Sequence, residues 1–215
     1  MLSARHITTG YGKKQVLTDV SLEVARGEIV ILTGGNGSGK STVLKTIYGL
    51  LKPWTAEGKI VFEGDDITAL DTAQMIRRGI VYVPQKKNVF DDFTVEENLL
   101  TAAEMYGRVE ARWRMERVFS TLSLLSEFRK RMPFKMSGGE RQMLAFANAL
   151  IHSPKIVLFD EPFAGVDEKN SYILTECICN LNTQNTAFVI IEHRKPIIEQ
   201  LKGREIKLNM GKVML

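Results

Sequence analysis

Only two of the 215 residues are cysteine, Cys177 and Cys179. They stand two apart on a stretch that reads as helix, where side chains at that spacing point to different sides, so neither a disulfide nor a shared metal is expected. Free, half-buried thiols are the reading that remains. Long apolar runs are missing as well: Ile29–Leu32 and Phe188–Ile191 fall far short of the roughly 18 residues that cross a bilayer. The N-terminus enters an alternating pattern at once and lacks the apolar stretch of a secretory signal. No internal repeat and no low-complexity tail occur. A cytosolic protein without its own membrane span is therefore expected.

Charge is in small surplus, Lys+Arg 29 against Asp+Glu 25, a formal +4. All of it falls between Thr101 and Arg141, where nine basic residues meet five acidic ones; the remainder balances at twenty against twenty. A uniformly basic nucleic-acid binder would look different, and no nucleic-acid partner is expected. Interspersed Glu and Arg on exposed helices point to a solvated face. What the chain has in quantity is core material: 44% hydrophobic residues over a length suited to one or two domains exclude intrinsic disorder.

The first quarter alternates polar and apolar residues at Arg5–Thr8 and Val20–Val24, which predicts half-exposed antiparallel strands. Residues 28–33 read as a buried strand, followed by a glycine-rich loop and a helix over Lys40–Leu50. A short strand at Lys59–Phe62, a helix opened by the Asp71/Gln74 capping pair and a strand at Ile80–Val83 come next. From about Gln85 to His152 the pattern turns helical. The Thr94/Glu97 capping box opens one helix to about Tyr106, and another spans about Glu110–Leu125 with Met115, Val118, Phe119, Leu122 and Leu125 as its packing face. Strands at Ile156–Phe159 and Ala187–Ile191 then alternate with helices at Asp167–Leu181 and Pro196–Leu201, before terminal strands near Ile206–Leu208 and Val213. Strands alternating with helices predict an α/β fold with a mainly parallel sheet and helices on both faces.

Three segments carry chemistry. Gly34-Gly35-Asn36-Gly37-Ser38-Gly39-Lys40-Ser41-Thr42 has the spacing of a loop whose backbone N–H groups close around phosphate oxygens at a helix N-terminus. There Lys40 can reach the β- and γ-phosphates and Ser41 can ligate Mg²⁺. Residues 156–161 form an apolar strand ending in Asp160, placed to hold a water of the Mg²⁺ shell, and Glu161, placed to polarise an attacking water. Ser137-Gly138-Gly139-Glu140 opens a helix of small and apolar residues. Its capping box explains the helix start, and its two glycines leave the positive helix end bare as a second γ-phosphate receptor. Two receptors for one phosphate suggest that they belong to different subunits.

These segments together resemble the ATP-binding cassette ATPases over nearly the whole chain. Gly34–Thr42 is similar to the Walker A loop, 156–160 to Walker B and Ser137–Glu140 to the family signature, with Glu140 where the commonest form has Gln. Tyr11, Gln85 after Val81-Tyr82-Val83-Pro84, Ala164-Gly165-Val166-Asp167 and His193 follow in the family's order. The resemblance implies a P-loop NTPase core (1–84 and 153–215) with an N-terminal antiparallel β part, and an inserted helical signature subdomain (85–152), in one ATPase domain. It implies that Tyr11 stacks on adenine, that Gln85 senses Mg²⁺ and the attacking water, that His193 contacts the γ-phosphate and that Asp167 ties two subunits' sites together. Without it, Tyr11 reads as a turn residue, Gln85 as a loop amide, His193 as a surface histidine and Asp167 as a helix cap. It also implies a head-to-tail pair of cassettes enclosing two ATP molecules with Mg²⁺, which moves a membrane partner.

The stretches Val89–Leu99, Asp160–Asp167 and Ile191–His193 look like the ATPase subunits of branched-chain amino acid importers and of lipopolysaccharide exporters. That likeness implies separate transmembrane subunits, a peripheral place on the cytoplasmic face of the membrane, and a substrate-binding protein as a further partner if the cargo is an amino acid. No appended regulatory domain is expected after the last strand. A soluble cassette ATPase acting on nucleic acid or an assembly is the competing reading. Its known forms carry two cassettes or a long coiled-coil insert, which 215 residues with one set of motifs do not match. A P-loop kinase leaves the signature and His193 unexplained.

Overall fold

Alternation in the first quarter produces a long hairpin, β1 (Leu2–Tyr11) and β2 (Lys14–Val24), longer at both ends than the alternating cores alone indicated. The computed structural model describes residues 1–86 and 88–214; Lys87, on which part of the expected 85–152 helical subdomain falls, and Leu215 lie outside the described residues. Strand β3 (Ile29–Thr33) runs through the glycine loop into α1 (Lys40–Ile47), and β4 (Lys59–Phe62) with the short β5 (Asp65–Asp66) precedes α2 (Thr72–Arg78) and β6 (Ile80–Val83). Helices α3 (Val95–Ala102), α4 (Arg108–Thr121), α5 (Ser123–Ser126) and α6 (Gly138–Leu150) follow, with 3-10 turns at Glu104–Tyr106 and Pro133–Lys135. Then come β7 (Ile156–Phe159), α7 (Glu168–Thr183), β8 (Ala187–Ile191), α8 (Lys195–Leu201), β9 (Arg204–Asn209) and β10 (Lys212–Val213).

Two sheets result. The antiparallel one has the order β2-β1-β4-β5, and the second has the order β10-β9-β3-β8-β7-β6. In the second, β9, β3, β8, β7 and β6 are parallel and only β10 turns back as a hairpin. Strands β3, β6, β7 and β8 are continuous apolar runs because both faces are covered, whereas β9 alternates buried and exposed residues. Val30, Leu32, Leu158 and Val189 face the antiparallel sheet and α1, while Ile31, Phe159, Phe188 and Ile190 join one cluster with the apolar residues of α3, α4, α6 and α7. From β3 the chain reaches β6 at the far edge, returns through β7 and β8 to β3, and continues to β9 on its other side. The carboxyl end of β3 is thus a topological switch point, the place where open α/β sheets bind ligands.

Two helix expectations need correction. The helix expected over Glu110–Leu125 is two, because Leu122 leaves helical geometry at φ −119°, ψ 66°. Just before the break, the Ser120 and Thr121 hydroxyls donate to the carbonyls of Glu116 and Arg117 at 3.0 Å, a back-bonding that weakens helix continuation. Leu122 and Leu125 still enter the core with Met115, Val118 and Phe119. The helix opened by Thr94 ends at Ala102, and only a 3-10 turn continues to Tyr106. Cys177 and Cys179 are both half-buried free thiols, and burial pushes both upward in pKa.

Candidate active site

Two glycines of the loop stand where a side chain has no room. At Gly34 (φ 138°) a Cβ would stand 2.2 Å from the Leu208 carbonyl oxygen, and at Gly39 (φ 102°) 2.6 Å from a Leu17 methyl. The loop is pinned from outside: Gly211 N–H, in the β9–β10 turn, donates to the Ser38 carbonyl at 3.0 Å, and Ser38 N–H donates to Gly35 O at 3.2 Å. Gly35, Asn36 and Gly37 form an exposed rim, while Ser38, Gly39 and Lys40 are buried beneath it. Lys40 is only 7% exposed, and its Nζ donates to the carbonyls of Gly34 at 2.7 Å and Gly35 at 3.0 Å. The neighbouring Ser38 Oγ is buried with no hydrogen-bond partner. A buried ammonium satisfied only by neutral carbonyls, beside an orphaned hydroxyl, is a donor set fitted to an anion.

Across the cleft, the ends of β6 and β7 bring three polar side chains together. The parallel register pairs Val83 with Phe159, so Gln85, two residues beyond β6, meets Glu161, two beyond β7. Asp160, 5% exposed, accepts the Ser41 hydroxyl on Oδ1 and the Tyr82 hydroxyl on Oδ2, both at 3.0 Å. Burial, reinforced by the Asp160 charge, pushes the Tyr82 phenol far above its ordinary pKa, so it remains a donor. Glu161 sits in the left-handed region at φ 49°, a conformation that costs a non-glycine residue about 1 kcal/mol. Its Oε2 accepts the Gln85 amide at 2.6 Å. Hydroxyl, carboxylate and amide oxygens are hard ligands, and one carboxylate with a hydroxyl beside a phosphate site suits Mg²⁺, which keeps waters and phosphate oxygens in its shell. The described residues contain no cluster of three or more His, Cys, Asp or Glu that would hold a metal without a phosphate.

The resulting open cleft, about 730 Å³, is lined by Tyr11, Gln15, Asn36–Thr42, Gln85, Glu161 and Met210. Tyr11 is exposed at the end of β1, with Lys45 Nζ 5.8 Å from its ring centroid. The other residues singled out from the sequence lie elsewhere. Ser137 caps α6, accepting from Glu140 N–H at 3.2 Å while Glu140 Oε2 accepts from Ser137 N–H at 2.7 Å. Gly138 and Gly139 pack against Gly165 and Asn170. Asp167 caps α7 through both oxygens, accepting from Asn170 N–H at 3.0 Å and from its side-chain amide at 2.6 Å, which lowers its pKa. His193, 67% exposed in its side chain, is not among the cleft-lining residues.

Sequence reasoning missed three participants. Tyr82 looks like an ordinary strand residue until the β6–β7 register sets it beside Asp160. Gln142, on α6, is buried, and its Oε1 accepts from the Asn88 side chain at 3.2 Å, tying the loop after Gln85 to the helix that Ser137 opens. Glu192 enters the sequence reading only within the stretch Ile191–His193, and it is buried. The sole sequence signal for any of them is a polar group inside an apolar or helical run.

Comparison with known proteins agrees with this geometry. The ABC transporter family profile matches residues 17–164. The high-affinity branched-chain amino acid transport ATP-binding protein BraG of Pseudomonas aeruginosa is 36% identical over all of this chain and 91% of its own length. The lipopolysaccharide export system ATP-binding protein LptB of Haemophilus influenzae is 35% identical over all of this chain and 89% of its own. Among solved structures, an ATP-binding cassette of an ABC transporter in its ADP conformation superposes with a TM-score of 0.89 at 28% identity, covering all of this chain and 89% of that one. A dimeric cassette in a post-hydrolysis state with ADP and Pi gives 0.86 at 28% identity, covering all of this chain and 97% of that one.

Proposed function

Because the chain belongs to the ABC transporter family and is an ATPase, we propose that it is the subunit of a membrane transporter that couples ATP hydrolysis to transport, paired head to tail with a second cassette on the cytoplasmic face of the membrane. The observation that carries this reading is the facing pair of contacts at the cleft, Ser41 to Asp160 at 3.0 Å and Gln85 to Glu161 at 2.6 Å, beside a loop built for phosphate. Tyr11 offers its exposed ring to adenine. Lys40 exchanges its two carbonyl partners for phosphate oxygens, and the Ser38 hydroxyl gains a partner. Ser41, Asp160 and Gln85 would hold Mg²⁺, which when bound neutralises charge on the β- and γ-phosphates. Glu161, anchored by Gln85, takes a proton from the water attacking the γ-phosphorus as the bond to the leaving β-phosphate oxygen breaks, giving ADP and phosphate.

Ser137 and Gly138 are exposed at the start of α6 and do not line this chain's own cleft. An exposed helix N-terminus outside its own nucleotide cleft supports its use on the partner's nucleotide, with Asp167 tying the two sites together and His193 contacting the γ-phosphate and orienting the attacking water. No helix among the described residues is long and apolar enough to cross a membrane, so the translocation path lies on other subunits in this reading. Their docking place is the loop after Gln85. Buried Asn98 clamps that loop, accepting from Phe90 N–H at 2.8 Å and donating to the carbonyls of Phe90, Phe93 and Thr94 at 2.9–3.1 Å. Two aromatic rings, Phe90 and Phe93, are left exposed 5.4 Å apart. Amino acid import is the cargo reading we carry, supported by the full-length likeness to BraG, and a substrate-binding protein is then a further partner. Mild detergent extraction should recover this chain with transmembrane subunits and a Mg²⁺-dependent ATPase. Retention by RNA with no membrane protein recovered would overturn the transport reading.

A further inference from the structure

Glu192 is a charged side chain only 3% exposed, and none of the roles above uses it. Burial of a carboxylate is tolerated when it is paired and hydrogen-bonded. Glu192 directly follows β8, and its Oε1 accepts the backbone N–H groups of His193 at 2.7 Å and Arg194 at 2.8 Å. Arg194 Nε lies 3.7 Å from the same oxygen. The Arg194 guanidinium reaches onward: Nη2 donates to the Phe163 carbonyl at 2.8 Å, with the ring centroid of Phe163 5.6 Å away. Phe163 is fully buried in the loop between Glu161 and Asp167.

The backbone held by this carboxylate is that of His193. The imidazole itself is exposed and makes only a 3.8 Å approach to Glu192, so its place is set by the main chain beneath it. That main chain is fixed on two further sides. Glu192 N–H points to the Leu32 carbonyl of β3 at 3.4 Å, and the Arg194 carbonyl accepts the Ile197 and Ile198 N–H groups that start α8, both at 3.1 Å. Among the described residues, the Arg194 side chain makes the one hydrogen bond between this bend and the loop carrying Asp167.

We propose that Glu192 and Arg194 are positioning residues that latch the His193 bend to the Phe163 loop, so that the imidazole and the Asp167 loop move as one body when a second cassette engages. The inference rests on the proposed part of His193 in hydrolysis. Glu192→Gln keeps an acceptor for the two N–H groups but loses the charge that faces Arg194. Arg194→Ala removes the bridge to Phe163 and the guanidinium facing Glu192, and keeps the two backbone N–H bonds to the carboxylate.

The experiment measures amide hydrogen exchange of the full chain at residues 193–194 and 164–166, together with kcat, KM and ATP affinity. Each variant should lower kcat about tenfold, the loss expected for one charge-assisted hydrogen bond, while ATP affinity stays within about twofold. Exchange should accelerate at both segments in Arg194→Ala, and Arg194→Lys, which keeps a donor for the Phe163 carbonyl, should recover part of both effects. In a His193→Ala background, Arg194→Ala should change the residual turnover by less than about twofold, because coupled residues are not additive. Unchanged exchange at 164–166 in Arg194→Ala, or full additivity with His193→Ala, overturns the latch. Full turnover in His193→Ala alone sinks the reading of the histidine instead, and the exchange data then decide the latch by themselves.

Discussion

The Tyr82 hydroxyl donates to Asp160 Oδ2 across the β6–β7 pair at 3.0 Å, while Ser41 occupies Oδ1 at the same distance. Two neutral donors fix the rotamer of a buried carboxylate without cancelling its charge, which is what a cation site beside a phosphate requires. Tyr82→Phe should cost about 1 kcal/mol of stability and raise the Mg²⁺ needed for half-maximal turnover about threefold or more. Mn²⁺ binding by paramagnetic resonance and Mg²⁺ titration of ATP turnover check this. An unchanged metal dependence would leave Tyr82 only its packing against Tyr48, 5.6 Å between ring centroids.

Glu161 and Lys40 separate chemistry from binding. Glu161→Gln keeps the shape and the Gln85 neighbour but cannot take a proton, so turnover should fall by about 10²-fold or more with ATP still bound. With ATP and Mg²⁺ it should accumulate as a closed dimer on size exclusion; a strictly monomeric elution counts against the head-to-tail pairing. Lys40→Ala should instead lose nucleotide affinity by about tenfold or more, since it removes the closest side-chain cation to the phosphates. Calorimetry on the two variants distinguishes the effects directly.

What was readable in the sequence was short-range. The capping boxes at Asp71/Gln74, Thr94/Glu97 and Ser137/Glu140 all form, because each depends on hydrogen bonds between residues three apart. The glycine loop was legible for the same reason: its shape follows from a local run of residues that allow close backbone approach. Tyr82, Gln142 and Glu192 were not legible, because each acts only after strand register or burial sets it against a distant residue. The break at Leu122 escaped notice because an unbroken apolar face at Met115, Val118, Phe119, Leu122 and Leu125 is the same in one helix or two. Ser137–Glu140 does not line this chain's own cleft; its use on a second subunit's nucleotide was suggested in the sequence by two phosphate receptors for one phosphate, and a fold of one chain leaves that partner out of view.

His152 joins the helical segment to the core and makes stability depend on pH. Burial first, and the nearby Arg114 charge second, push its imidazole from 6.5 down to about 4; its Nδ1 meets the Tyr106 hydroxyl at 3.1 Å. A folded pKa below the unfolded one means that the unfolded chain binds the proton more readily. Its contribution is therefore complete above about pH 6.5 and is lost as pH falls toward 4, worth about 3 kcal/mol across that window. Urea unfolding at pH 7 and pH 4.5 should show this loss in the wild type and a smaller one in His152→Gln. Equal losses in the two proteins would place the pH dependence in other groups.

Asn98 and the aromatic pair it displays should respond in opposite ways. Asn98 is wholly buried on α3 and its side chain makes four hydrogen bonds with the 90–94 loop. Asn98→Ala leaves the Phe90 N–H and the Phe93 carbonyl without their partner and takes one of two bonds from the Phe90 and Thr94 carbonyls, so a cost of about 2–4 kcal/mol and a more rapidly exchanging loop are expected. Phe90→Ala and Phe93→Ala remove rings that are 56% and 41% exposed, so their effect on stability should be within about 1 kcal/mol. Exposed aromatic pairs are typical anchors of interfaces, and the cost of those substitutions should appear in recovery of transmembrane subunits from detergent extracts and in substrate-stimulated turnover. If both measurements match the wild type while basal ATPase is also unchanged, the membrane partner does not dock on this loop, and the loop after Gln85 is no longer the site through which hydrolysis is coupled to transport.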